Sequence, residues 1–139
     1  LLAGRRGEKP RLRTLPLLGL AQAGQGGFFD DSGFPAGAGW EAVEVPGVTD
    51  ATAYALEITG ESMLPLYREG DRIIVSPEAT VRKGDRVVVK TTDGQVMAKI
   101  MQRQTARTVE LASLNPEHPT KVIDLRDVDW MARIIWASQ

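Results

Sequence analysis

The stretch RVVVKTTDGQVMAKIMQR, residues 86–103, decides the fold class. Apolar, partly β-branched runs stand on either side of Asp93-Gly94, a strong short-range hairpin signal. The spacing predicts strands over 86–92 and 95–103. In the second strand, alternation places Lys99 on one face with Met97 and Met101, and Val96, Ala98 and Ile100 on the other. Lys99 is therefore a cation within a run that is apolar on both faces.

Working outward, the phrases REGDRIIV (68–75) and RKGDRVVV (82–89) each set Gly-Asp in a turn and then launch an apolar run. Upstream, Tyr54, Leu56 and Ile58 alternate with Ala55, Glu57 and Thr59 as a half-buried strand does. Downstream, strands are expected at 108–114, 120–125 and 130–137. No stretch holds a helical period for three turns. The expected class is mainly β, with little helix.

Composition narrows the chemistry. The chain has 139 residues, 42% hydrophobic and 25% charged, which suits one soluble domain with a real core. A net charge of −1 argues against a surface built to grip phosphate backbones. Cys is absent and His118 is the single histidine, so thiol chemistry, disulfides and a His-Cys metal cluster are excluded. No metal or cofactor is expected. The longest apolar-leaning run, Leu12 to Ala23, is broken by Arg13, Pro16 and Gly19 and falls short of the ~20 residues of a membrane span. It also lacks the continuous apolar stretch of a secretory signal. A cytoplasmic protein with no membrane partner is expected.

Two N-terminal regions differ in texture. Residues 1–14 carry Arg5, Arg6, Lys9, Arg11 and Arg13 against Glu8 alone, as a solvated basic linker does. The chain does not begin with Met, which suggests a piece of something longer. From about 15 to 47 glycine and proline are dense, which disfavours regular strands and predicts a long irregular loop.

Three features carry chemistry. Gly60-Glu61-Ser62-Met63-Leu64-Pro65 follows directly on the strand over 54–59. Ser62 there is either the cap of a helical turn or a nucleophile beside free backbone N–H groups. Lys99 either reaches water past a packed stem or is desolvated and neutral, able to take a proton from a serine. Ala23-Gly24 sits in the glycine-rich segment, where small side chains admit a peptide to a tight site.

In that order, with the Gly-Asp turn at 70–71 and LASLNP…KVID over 111–124, these features resemble the LexA, UmuD and lambda-repressor group of self-cleaving proteins. The resemblance covers roughly residues 15–137. It implies a compact, strongly bent, antiparallel β fold of the LexA C-terminal-domain type. It further implies an autopeptidase and dimerisation domain over 15–139, with a cleavage loop at about 15–47 acting as its own substrate. By the same resemblance Ser62 attacks the carbonyl of Ala23, and Lys99 takes the proton and returns it to the amine of Gly24. The backbone N–H groups of Glu61 and Ser62 hold the oxyanion, with Gly60 and Met63 in the substrate cleft. The implied partners are a second copy, a RecA filament promoting the cut in a DNA-damage response, and DNA through a helix-turn-helix domain preceding the linker. Ala21, Glu61 and His118 depart from the pattern without removing a catalytic group. Two other readings stand beside this one: a dimerisation module of a repressor that cuts poorly, pairing through 130–137 with Trp130 and Trp136, and a UmuD-like polymerase accessory subunit.

Overall fold

The computed structural model describes residues 12–48, 50–59 and 65–137. Among the described residues nine strands form one sheet: β1 (Leu12–Gly19), β2 (Glu41–Pro46), β3 (Tyr54–Glu57), β4 (Arg72–Ser76), β5 (Arg86–Thr91), β6 (Val96–Gln104), β7 (Thr108–Ser113), β8 (Lys121–Asp124) and β9 (Val128–Ala137). Their order is β2-β1-β3-β4-β9-β5-β6-β7-β8. All neighbours are antiparallel except β1 and β3, which run parallel. Among the described residues, helix is confined to the four-residue α1 (Leu20–Ala23) and a 3-10 turn at Leu125–Asp127. The chain is mainly β, as its sequence predicts.

The deciding hairpin forms with Arg86 opposite Ile100 and Lys90 opposite Val96. Its turn is longer than a two-residue loop. The Thr91 N–H donates to the Gln95 carbonyl at 2.9 Å and the Gly94 N–H to the Thr91 carbonyl at 3.0 Å. Gly94 has φ +89, the left-handed glycine that closes a three-residue hairpin loop.

The twin Gly-Asp phrases fold alike. The Arg68 N–H donates to Asp71 Oδ2 at 2.8 Å, and the Arg82 N–H to Asp85 Oδ2 at 2.7 Å. Each turn is then pinned to another part of the chain. Ile58 exchanges backbone hydrogen bonds with Gly70 and Asp71, and Met101 does so with Gly84 and Asp85. One phrase thus anchors the chain just before Gly60, and the other anchors β6 two residues beyond Lys99.

The segment 15–47 departs from the irregular loop expected of its composition. Its flanks form β1 and β2, and only residues 24–40 lack long regular structure. Leu15 and Leu17 bury with Val45, Ala55 and Ile74, so hydrophobic burial outweighs the local cost of Pro16 and Gly19. Pro16 is tolerated because β1 pairs with β3 only from Leu17 onward, leaving one side unpaired at that residue.

Residues 28–40 pack onto the main core by aromatic contacts. The Phe29 ring lies 5.3 Å from Trp40, 5.3 Å from Tyr54 and 4.7 Å from Trp130, centroid to centroid. Gly37, at φ +75, leaves no room for a side chain: a Cβ would stand 2.2 Å from the Gly27 carbonyl oxygen. Gly37→Ala is therefore expected to destabilise the chain by about 1–3 kcal/mol, seen as a lower urea midpoint at unchanged m-value.

Two strand readings need correction. The strand over 54–59 is buried on both faces at Tyr54, Ala55 and Leu56, because the main cluster covers Tyr54 and Leu56 while Leu15, Leu17, Val45 and Ile74 cover Ala55. In β9 the register against β4 slips between Ile74 and Val75, which pair with Trp136 and Ile134 and leave Ile135 as an extra residue. Alternation breaks there. Trp130 is buried in the core, whereas Ile135 and Trp136 are exposed. β9 pairs with β5 over Val128 to Arg133 and with β4 over Arg133 to Ala137, so a pairing surface at Trp136 lies beyond the β5 pairing and excludes the buried Trp130.

Candidate active site

Parallel pairing of β1 with β3 organises the site. Leu17, Leu18 and Gly19 stand opposite Ala55, Leu56 and Glu57, so both strands run out at the same end of the sheet. The chain after β1 turns into α1, carrying Ala23, and the chain after β3 leads to Gly60. Gly60, Glu61, Ser62 and Met63 lie outside the described residues. Ile58, just before them, and Ala23 belong to the same buried cluster.

Ala23 ends α1 and is wholly shut off from solvent. Gly24 caps the helix at φ −77, ψ −14, and the Gln25 N–H donates to the Gln22 carbonyl at 2.9 Å. Gly24 lies against the β5–β6 turn, where a Cβ would come within 2.5 Å of the Gly94 carbonyl oxygen. A side chain there would force backbone apart. Residues 25–27 are exposed, so the chain passes from core to solvent directly after the Ala23–Gly24 bond.

Lys99 sits in β6 between Val87 of β5 and Ser113 of β7. The face expected from alternation is observed: Ala98, with Val96 and Ile100, packs into the core that holds Ala23, while Met97 and Met101 join a cluster on the other face. Lys99 lines an open cavity of about 320 Å³ with Gln95, Met97, Ser113, His118 and Lys121. No carboxylate lines that cavity among the described residues. Burial holds the Lys99 ammonium below the usual lysine range, and the Lys121 cation pushes it the same way.

Sequence reasoning left His118 and Lys121 outside the chemistry. The β7–β8 connection brings them to Lys99: Ser113 pairs with Lys99, and Lys121 pairs with Leu111 one strand further out. The His118 N–H donates to the Asn115 carbonyl at 3.0 Å, fixing that connection as a turn. Only the strand register reveals this neighbourhood, and register depends on pairing between distant segments.

No group of three or more His, Asp or Glu side chains suited to a metal occurs among the described residues. No described helix is long and apolar enough to cross a membrane.

The family model described as Peptidase S24-like matches residues 16–135. A curated relative, Repressor protein C of Rhizobium phage 16-3, is 30% identical over 124 residues, which cover 84% of this chain. The match takes in 46% of that repressor, so the chain spans about half the length of its relative.

Proposed function

The chain belongs to the Peptidase S24-like family, and from that premise we propose that it is the self-cleaving and dimerising domain of a repressor-like regulator. It cuts its own Ala23–Gly24 bond with Ser62 and Lys99. The observation that carries this reading is the setting of Lys99, desolvated beside a second cation in an open cavity that no acid lines among the described residues. A lysine so placed gives up its proton more readily than one in water and is then a base.

Ser62 Oγ attacks the Ala23 carbonyl while neutral Lys99 accepts the hydroxyl proton. The backbone N–H groups of Glu61 and Ser62 receive the oxyanion, beside Gly60 and Met63 in the cleft. Lys99 returns the proton to the nitrogen of Gly24 as the C–N bond breaks, and water then releases the acyl group from Ser62. Ala23 is buried in the cluster on the Ala98 face of β6 and does not line the Lys99 cavity, so cutting requires the segment around Ala23 to leave that cluster and reach Lys99. Tethering supplies a high effective concentration, which offsets a modest nucleophile.

The proposed partners are a second copy, a RecA filament that promotes the cut, and DNA bound by a domain upstream of residue 1. The exposed Ile135 and Trp136 favour the dimerising role and keep open a pairing module that cuts slowly.

The test is the rate at which the full-length chain disappears at alkaline pH, measured across a hundredfold range of protein concentration. A first-order rate independent of concentration supports self-cleavage; a rate proportional to concentration refutes cutting within one chain. The pH profile has a definite sign. Because the folded lysine loses its proton below the ordinary value of 10.5, cleavage is expected to rise with pH and level off before that value. Stability follows the same direction: between the folded and unfolded lysine values the unfolded chain binds more protons, so stability rises with pH there.

A further inference from the structure

Strand β1 lies on the N-terminal side of the Ala23–Gly24 bond, yet both of its neighbours lie on the C-terminal side. Leu12 to Leu17 pair with Pro46 to Glu41 of β2, and Leu17 to Gly19 pair with Ala55 to Glu57 of β3. Side chains of β1 and of α1 after it enter two cores. Leu15 and Leu17 pack with Val45, Ala55 and Ile74, while Leu18, Leu20 and Ala23 enter the main cluster with Tyr54 and Leu56. Among the described residues β2 joins the sheet only through β1, so withdrawing β1 strands β2 as well. The segment after the bond stays with the body, held by Phe29 against Tyr54 and Trp130.

From this arrangement we propose that the slot between β2 and β3 is a peptide-binding site whose ligand is residues 12–23 of this same chain. A chain cut after Ala23 remains one assembled particle, and the upstream part departs only when β1 is drawn out of the sheet. This is strand addition in reverse: main-chain pairing on both flanks gives affinity, and alternate leucines filling two cores give specificity. Cutting and separation become two steps with separate rates. A regulator of this design loses its upstream part by strand extraction, not by hydrolysis alone.

The inference does not depend on which enzyme makes the cut, and its test uses an external one. A recognition sequence for a site-specific protease is inserted between Gln25 and Gly26, which are exposed, in the Ser62→Ala chain. After cutting, size exclusion under native conditions is expected to return both fragments in one peak at the volume of the uncut chain, separating only in denaturant. Amide exchange over residues 13–18 is expected to stay within about tenfold of the uncut chain. Elution of the N-terminal fragment alone, precipitation of the body, or full exchange in β1 overturns the proposal. The wild-type chain after its own alkaline cut, returned to neutral pH, provides a second arm that needs no insertion. Failure of that self-cut bears on Ser62 and Lys99, whereas failure of co-elution bears on the slot.

Discussion

Lys99→Met is expected to abolish self-cleavage, lowering the first-order rate at alkaline pH by about 10⁴-fold or more. Met approximates the length of the lysine stem and suits the Met97 and Met101 side of β6, so the sheet is retained. What is lost is the amine that takes the serine proton and delivers it to the leaving nitrogen. Lys99→Arg is expected to fail as well, because guanidinium stays charged at any pH the fold survives. Ser62→Ala removes the other half of the pair and is expected to match the single lysine variant, since two groups acting as a unit do not add. The measurement is loss of full-length chain by intact mass, with circular dichroism showing that each variant is folded. A folded Lys99→Met chain that cuts at the wild-type rate removes Lys99 from the reaction.

Trp130→Ala is expected to lower stability by about 3–5 kcal/mol, the range for deleting a buried large aromatic. For a chain of this size that corresponds to a fall in Tm of about 10–15 °C. Trp130 is 5% exposed, and its ring meets Phe29 at 4.7 Å. It also lies under Gly33, where a Cβ would come within 2.9 Å of the indole, so the loop over residues 28–40 rests on it. Trp130→Phe is expected to recover most of the loss. It keeps a ring in the cluster and removes an indole N–H that is buried without a partner among the described residues. Thermal melts of the three proteins check the order: wild type, then Phe, then Ala.

These expectations rest on elements that differ in how openly the sequence displays them. The hairpin at 86–103 and the twin turns at Arg68–Asp71 and Arg82–Asp85 are local, each built from a few adjacent residues whose chemistry specifies a turn. They were legible. The strands β1 and β2 were not, because Pro16, Gly19 and Pro46 argue locally against them while Leu15, Leu17 and Val45 act only once brought together. The slip at Ile135 likewise depends on β4, about sixty residues away in the chain, and no alternation along β9 reveals it.

The candidate site divides in the same way. Lys99 stands out because a cation among methionines on a two-sided strand is anomalous by itself. The parallel contact of β1 with β3, beyond which Ala23 and Ile58 share one buried cluster, is a non-local fact. So is the cavity that joins Lys99 to His118 and Lys121. Ser62, Glu61, Gly60 and Met63 rest on the motif and the resemblance it carries.

One measurement bears most directly on the central claim. The purified chain is held at alkaline pH without any other protein, and the products are weighed by intact mass spectrometry. Two fragments whose masses place the cut between Ala23 and Gly24, both missing from the Lys99→Met chain under the same conditions, are the predicted result. A wild-type chain that keeps its full mass throughout, or that is cut elsewhere, contradicts it.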